Sequence, residues 1–289
     1  MATGTNIRTY YDGQWSDQDV AIIRAGDHGA WLGSTVFDGA RYFDGVIPDL
    51  WAHCDRVNNS ARAMMITPTV TTDEMVAIIW EGLKLFGSTS AVYIRPMYWT
   101  LDGGDLAIIP KENSTGFAIC LEDIPMANQA YCATLTKTSF RRPVLEDNVV
   151  NAKAGCLYPN NARMLAEARQ KGFSNALVCD VMGNVAETAT SNIFLVNDGV
   201  VLTPIPNGTF LAGITRDRHI LNLRENGIQV VEKVLSFSDF LVADEVFMSG
   251  NMMKVTAVSA FEDKNYQLGP VTKKVREMYW DWAMSEKSS

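Results

Sequence analysis

Lys153 lies in the stretch NAKAGCLYPNNAR, residues 151–163, among alanine and glycine instead of other charges. Two readings fit a lysine there. It is a solvated loop residue, or it is an amine kept among apolar neighbours, where the uncharged form is favoured. A neutral amine can attack a carbonyl and hold it as a Schiff base. Its companions must decide. Tyr158, five residues on, is a packed aromatic or a hydroxyl donor. Glu187 sits in GNVAETATSN, among small and apolar residues. An acid there is an exposed strand-face residue or a buried carboxylate that needs a cation or donors. A protonated ring nitrogen would serve. In LAGITRDRH, residues 211–219, Gly213 permits close backbone approach and Thr215 marks a helix start. Free amides at a helix start favour a phosphate, although every capped helix shares the pattern. Arg56 in HCDRVNNSA and the Ser249-Gly250-Asn251 run are two further anion candidates, each weak alone.

Positioning these residues takes a scaffold of mixed type. YYDGQW places Asp-Gly between aromatics, a hairpin cue. In STVFDGARYFDG, strand-like residues bracket a second Asp-Gly. Helices are expected at 53–65 and 73–86, the latter from Val76, Ile79, Trp80 and Leu83 at helical spacing. AVYIRPMYW and GFAICLEDI read as strands. Tyr93 and Arg95 alternate with Ile94, so their side chains share a strand face. A guanidinium fork suits a carboxylate, and a structural ion pair is the other reading. Strands and helices do not alternate regularly, which predicts α+β and not a doubly wound sheet. A weakly patterned stretch at 125–130 is the expected linker between a domain at 1–124 and a second at 131–289. In the second, ATLTKTSF, the run from Asn175 to Pro204 and EVFMSG are strand-like. Helices are expected at 162–170, 215–225 and the C-terminal end, where Val271, Val275, Met278 and Trp282 share a face.

Composition narrows the function classes. The 289 residues are 47% hydrophobic, enough for a sizeable core, and the net charge of -8 argues against a nucleic-acid partner. Five scattered cysteines without CxxC spacing read as reduced thiols, not as a disulfide framework or metal site. His28, His53 and His219 have no metal-ligand pattern. No apolar run is long enough to span a bilayer, and the N-terminus has no signal-peptide pattern. A cytoplasmic enzyme with small-molecule substrates, and no membrane partner, is expected.

In order along the chain, FDGARYFDG, HCDRVNNSA, YIRP, NAKAGCLYPNNAR, DVMGNVAETATSNIF, LAGITR, ADEVFMSGN and the closing GPV resemble the class IV (fold-type IV) pyridoxal-phosphate aminotransferases, nearest to the branched-chain amino acid group. The resemblance covers residues 8–283. It implies a two-lobed architecture, with a smaller N-terminal α/β lobe and a larger C-terminal lobe that has a β-rich core and carries the cofactor lysine. It implies pyridoxal 5'-phosphate as cofactor, bound to Lys153 as a Schiff base, with the freed amine shuttling a proton between substrate Cα and cofactor C4′. By the same resemblance, Glu187 would pair with the pyridine nitrogen and Tyr158 with the phenolic oxygen. Arg56, Ile214 and Thr215 would hold the phosphate, and Leu211 would pack on the ring. Asn192, Gly213, Gly250 and Asn251 complete the cofactor set, with Asn251 standing where the family often has threonine. Phe37, Gly39, Tyr93, Arg95 and Met252 would bind substrate, and no metal takes part. The implied reaction moves an amino group from a branched-chain-like amino acid to a 2-oxo acid such as 2-oxoglutarate, in a homodimer or larger assembly. Three departures stand out. Leu32 replaces a tyrosine usual in branched-chain enzymes, Pro125–Gln129 is short and lacks a second pocket tyrosine, and MSGNMM replaces a small-residue stretch. The first two make the pocket more apolar. They leave open an (R)-selective amine or D-amino acid transaminase, and the family also contains lyases of the aminodeoxychorismate type.

Overall fold

The computed structural model describes residues 4–288. They form two compact units. The first runs to Met126 and also takes in Asn151–Leu157, and the second holds Ala127–Val150 and the chain from Tyr158 onward.

The first unit contains, in order, β1 (Thr5–Tyr11), β2 (Gln14–Ser16), α1 (His28–Leu32), β3 (Thr35–Phe37), β4 (Ala40–Tyr42), α2 (Leu50–Ala63), α3 (Thr72–Leu83), β5 (Val92–Thr100) and β6 (Thr115–Asp123). Its sheet runs β2-β1-β6-β5-β3, with β4 also on β5, and every pair is antiparallel. YYDGQW is the expected hairpin. Asp12 and Gly13 have φ of 51° and 79°, the left-handed pair a two-residue turn needs. The Asp-Gly at 38–39 behaves differently. Phe37 pairs with Met97 and Ala40 with Ile94, so β3 and β4 lie in line along β5 and Asp38-Gly39 interrupts a strand without reversing it. The reversal comes at Asp44-Gly45, with φ of 49° and 90°. One face of β5 carries Val92, Ile94 and Tyr98, all fully buried, and α2 packs against that strand. The other face brings Tyr93 and Arg95 into register with Arg41 of β4 and with Cys120 and Glu122 of β6. A capping box of Thr71 and Glu74 starts α3. That helix buries Met75, Ile79 and Leu83, while Trp80 stays 42% exposed.

The second unit continues with β7 (Cys132–Arg142), α4 (Tyr158–Gln170), β8 (Asn175–Asp180), β9 (Val185–Thr188), β10 (Asn192–Asn197), β11 (Val200–Pro204), α5 (Ile214–Glu225), β12 (Val230–Lys233), α6 (Phe237–Val242), β13 (Glu245–Gly250), β14 (Lys254–Phe261), β15 (Lys264–Asn265) and α7 (Pro270–Ser285). The sheet order is β12-β11-β10-β13-β14-β7-β8-β9, with β15 on β14. Strand β7 is parallel to both β14 and β8, and β11 is parallel to β12. Successive residues of β10 feed opposite cores, as a period of two requires. Ile193 joins Leu135, Leu177, Phe240 and Phe261, whereas Phe194 stacks on Phe247 at 4.8 Å among Leu223, Val255 and Val275. The helix expected at 162–170 begins earlier, at Tyr158.

The mixed helix and strand architecture is the α+β type expected. One placement is corrected. The lysine segment, expected in the domain at 131–289, packs with the first unit. The Phe37 amide donates to the Lys153 carbonyl at 3.1 Å. The Lys153 amide donates to Ser60 Oγ at 3.0 Å, and Ala154 bridges to Val36. These backbone bonds extend β3 sideways and hold residues 151–157 in the first unit. Among the described residues no helix is long and apolar enough to cross a membrane.

Candidate active site

In the first unit the small residues around Lys153 have a packing reason. Ala152 and Ala154 are buried, and a Cβ on Gly155 would come within 2.3 Å of Thr35 Oγ1. These small side chains let the segment pack closely against β3. The Lys153 side chain is partly buried, and its Nζ lies 5.1 Å from the centre of the Phe37 ring. Phe37, a residue expected at the substrate, is thereby beside the candidate nucleophile.

Arg56, on α2, is oriented by a residue the sequence did not single out. Asp38 is fully buried and accepts from Arg56 Nε at 2.6 Å, from Arg56 Nη2 at 2.8 Å and from His53 Nδ1 at 2.7 Å. Burial alone would raise the Asp38 pKa, but Arg56 and His53 overcome it and hold the carboxyl well below the usual carboxylate range. The Asp38 carboxylate also accepts from the Gly39 amide at 2.7 Å, which fixes the strand interruption. Replacing Asp38 with Asn is expected to lower unfolding free energy by about 1.5–3 kcal/mol, the range for hydrogen bonds to charged groups. Urea denaturation of the full chain reads this, and an unchanged midpoint would contradict the network.

Gly39 has no room for a side chain, because a Cβ would lie 2.5 Å from the Tyr93 hydroxyl. Tyr93 is buried, and the Arg95 guanidinium lies 5.7 Å from its ring centre. Arg95 pairs closely with the buried carboxylate of Glu122 and donates to Cys120 Sγ at 3.4 Å. The side chains of Tyr93 and Arg95 therefore do share a face, and Glu122 matches the arginine's charge. Arg41 on that face is buried too. Its Nη2 donates to the Ile124 carbonyl at 2.5 Å, and burial lowers its pKa to about 10. Leu32 ends α1 and is 39% exposed.

The second unit gathers the other candidates. Glu187 of β9 lies 3.0 Å from Arg142 Nε, with both side chains largely buried. Arg142 also donates to the carbonyls of Thr188 and Ala189, at 2.9 and 3.1 Å, and to Asn161 at 2.5 Å. It ends β7 and clamps the turn that follows Glu187. Asn192 Nδ2 stands 3.5 Å from the other Glu187 oxygen and donates to the Leu211 carbonyl at 3.2 Å. Gly213 follows as the N-cap of α5, and a Cβ there would strike Asn192 Oδ1 at 2.1 Å. A glycine cap leaves the first-turn amides, including Ile214 and Thr215, without a side-chain acceptor. Buried Arg216 anchors this end through the Pro204 carbonyl at 3.0 Å and Glu232 at 2.7 Å.

Ser249 of β13 pairs with Asn192 of β10, and a Cβ on Gly250 would meet Ser191 Oγ at 2.9 Å. The run 249–251 is thus held against the start of β10. Met252 is half-buried in the turn after β13, and Tyr158 opens α4 with 39% of its surface exposed. In this unit, Glu187, Asn192, Leu211, Gly213 and the 249–251 run form one connected neighbourhood. Arg142 gave no sequence signal, because its partner Glu187 is remote in the chain and joins it only through the sheet.

The amino-transferase class IV family matches residues 35–261, most of the chain. The chain belongs to the class IV aminotransferases. A crystal structure of a Brucella abortus aminotransferase bound to PLP superposes with a TM-score of 0.95 at 55% identity, covering 96% of this chain and 99% of that one. A putative branched-chain-amino-acid aminotransferase of Methanocaldococcus jannaschii is 33% identical, over 95% of this chain and 96% of the relative. The Escherichia coli branched-chain-amino-acid aminotransferase is 31% identical, over 92% of this chain and 89% of its own. As a class IV aminotransferase, the chain is a transaminating enzyme built on the fold those relatives share.

Proposed function

We propose that this aminotransferase moves an amino group from a hydrophobic, branched-chain-like amino acid to a 2-oxo acid such as 2-oxoglutarate, with Lys153 as the Schiff-base lysine. The cofactor is pyridoxal 5'-phosphate. When bound, it supplies an aldehyde carbon for the amino group and a ring that accepts electrons from the substrate Cα. The residues present fit such a group. Glu187 is a largely buried carboxylate between Arg142 and Asn192, suited to holding a proton on a ring nitrogen. The glycine-capped start of α5 offers amides to a phosphate, Asn251 and Gly250 add donors, and by resemblance to the family Arg56 would hold the phosphate as well. Tyr158 would donate to the phenolic oxygen, and Leu211 would pack on the ring. Lys153 Nζ takes the proton from the donor Cα. The observation that carries this reading is the Arg142–Glu187–Asn192 chain leading to the uncapped helix start.

For the substrate, Phe37 and Gly39 would line the side-chain pocket, Tyr93 and Arg95 would hold the carboxylate, and Met252 is a further substrate-binding candidate. A second reading is an (R)-amine or D-amino acid donor, and one observation favours the amine, which has no carboxylate. Glu122 pairs with Arg95 and reduces the charge offered to a carboxylate. Glu122→Gln is accordingly expected to lower KM for leucine about tenfold, one charge-assisted bond, and to leave (R)-1-phenylethylamine unchanged. An equal effect on both donors would contradict the assignment of Arg95. We place the enzyme in the cytoplasm as a homodimer or larger homo-oligomer, by resemblance to the family. The function is tested by adding leucine, valine, phenylalanine, D-alanine and (R)-1-phenylethylamine in turn to the yellow holoenzyme. Conversion to the pyridoxamine form by leucine or valine supports the branched-chain reading. Conversion by (R)-1-phenylethylamine or D-alanine but not by leucine or valine supports the second, and no conversion by any of the five donors contradicts both.

A further inference from the structure

Lys254 is a buried cation next to the 249–251 run, and no step of the reaction uses it. It opens β14 with a left-handed φ of 61° and is 1% exposed. Its carbonyl accepts from His219 Nε2 of α5 at 3.1 Å. Its Nζ lies 5.6 Å from the Tyr279 ring centre and donates to Asn251 Oδ1 at 2.7 Å. That last bond settles which way the Asn251 amide faces. An ammonium has donors only, so Oδ1 must turn towards Lys254 and Nδ2 away from it. Among the described residues Asn251 Nδ2 is then a buried donor with no hydrogen-bond partner, and so is the nearby Ser249 Oγ. Buried donors of this kind require an acceptor. Two of them sit on the run that pairs with the start of β10, whose Asn192 reaches towards the uncapped end of α5.

We propose that Lys254 is a positioning residue for phosphate binding: it locks the Asn251 amide so that Nδ2 donates to the phosphate, and it keeps a buried positive charge one hydrogen bond behind that donor. The inference rests on the reading that residues 249–251 meet the cofactor phosphate.

The test compares the affinity of the full-length apoenzyme for pyridoxal phosphate and for pyridoxal, which lacks the phosphate, by fluorescence titration. Lys254→Met is expected to weaken pyridoxal phosphate binding about tenfold or more, as for loss of a charge-assisted bond, and to leave pyridoxal binding unchanged. Lys254→Arg keeps a donor and should restore most of the affinity. Asn251→Asp keeps the acceptor facing Lys254 but removes the donor, so it should reproduce the selective loss even if Lys254→Met folds poorly. Equal loss of both ligands, wild-type affinity in a folded Lys254→Met, or wild-type affinity in Asn251→Asp overturns the proposal. A wild-type chain that binds neither ligand overturns the cofactor reading itself, and the proposal with it.

Discussion

Replacing Lys153 with alanine is expected to lower transamination by about four orders of magnitude, the upper range for loss of one proton-transferring group. The loss of the Schiff-base amine acts in the same direction. The fold should survive the change. The segment is held by backbone bonds to Phe37 and Ser60 and by the packing of Ala152 and Ala154, none of which involves the lysine side chain. Single-turnover rates and thermal melting, measured together, separate the two effects. A variant with wild-type rate would remove Lys153 from the mechanism, and a variant that melts far below wild type would show that the amine has a structural duty as well.

Glu187→Gln is expected to lower kcat by about 10²–10³-fold, the range for removing one preorganised electrostatic partner. The amide has nearly the shape of the carboxylate but carries no charge to hold a proton on a ring nitrogen. Arg142 would also lose its anionic neighbour at 3.0 Å, while its bonds to the Thr188 and Ala189 carbonyls and to Asn161 remain. Stability should therefore fall only modestly, by about 1–3 kcal/mol. Steady-state kinetics beside urea denaturation checks both parts. A large stability loss with kcat intact would make Glu187 a structural partner of Arg142 and nothing more.

Local pattern carried most of the fold. Helix α3 was legible from the spacing of Ile79 and Leu83, and the β1–β2 hairpin from one Asp-Gly. The same dipeptide at Asp38-Gly39 lies between two strands, as read, but its shape was not legible. Two residues cannot reveal that both flanking strands pair with β5, or that the aspartate turns inward to Arg56 and His53. Trp80 fell on the apolar stripe of its helix and is nonetheless 42% exposed, because periodicity says which residues align and not how wide the buried stripe is. The candidate site divides along the same line. Lys153, Glu187 and Thr215 could be singled out from their immediate neighbours. Asp38, Glu122, Arg142 and Lys254 could not, since each has meaning only through a partner brought close by the fold or by a turn whose shape the sequence does not disclose. The placement of residues 151–157 with the first unit was hidden for the same reason. It depends on bonds to β3 and α2, more than ninety residues earlier in the chain.

The proposed chemistry requires that the amine of Lys153 bond the cofactor. Borohydride reduction of the holoenzyme, followed by proteolysis and mass analysis, tests it most directly. The pyridoxyl group is expected on the peptide that contains Lys153, with no labelling of that peptide when Lys153 is replaced by alanine. A pyridoxyl group on another lysine, or a holoenzyme whose cofactor washes away unreduced, would contradict it.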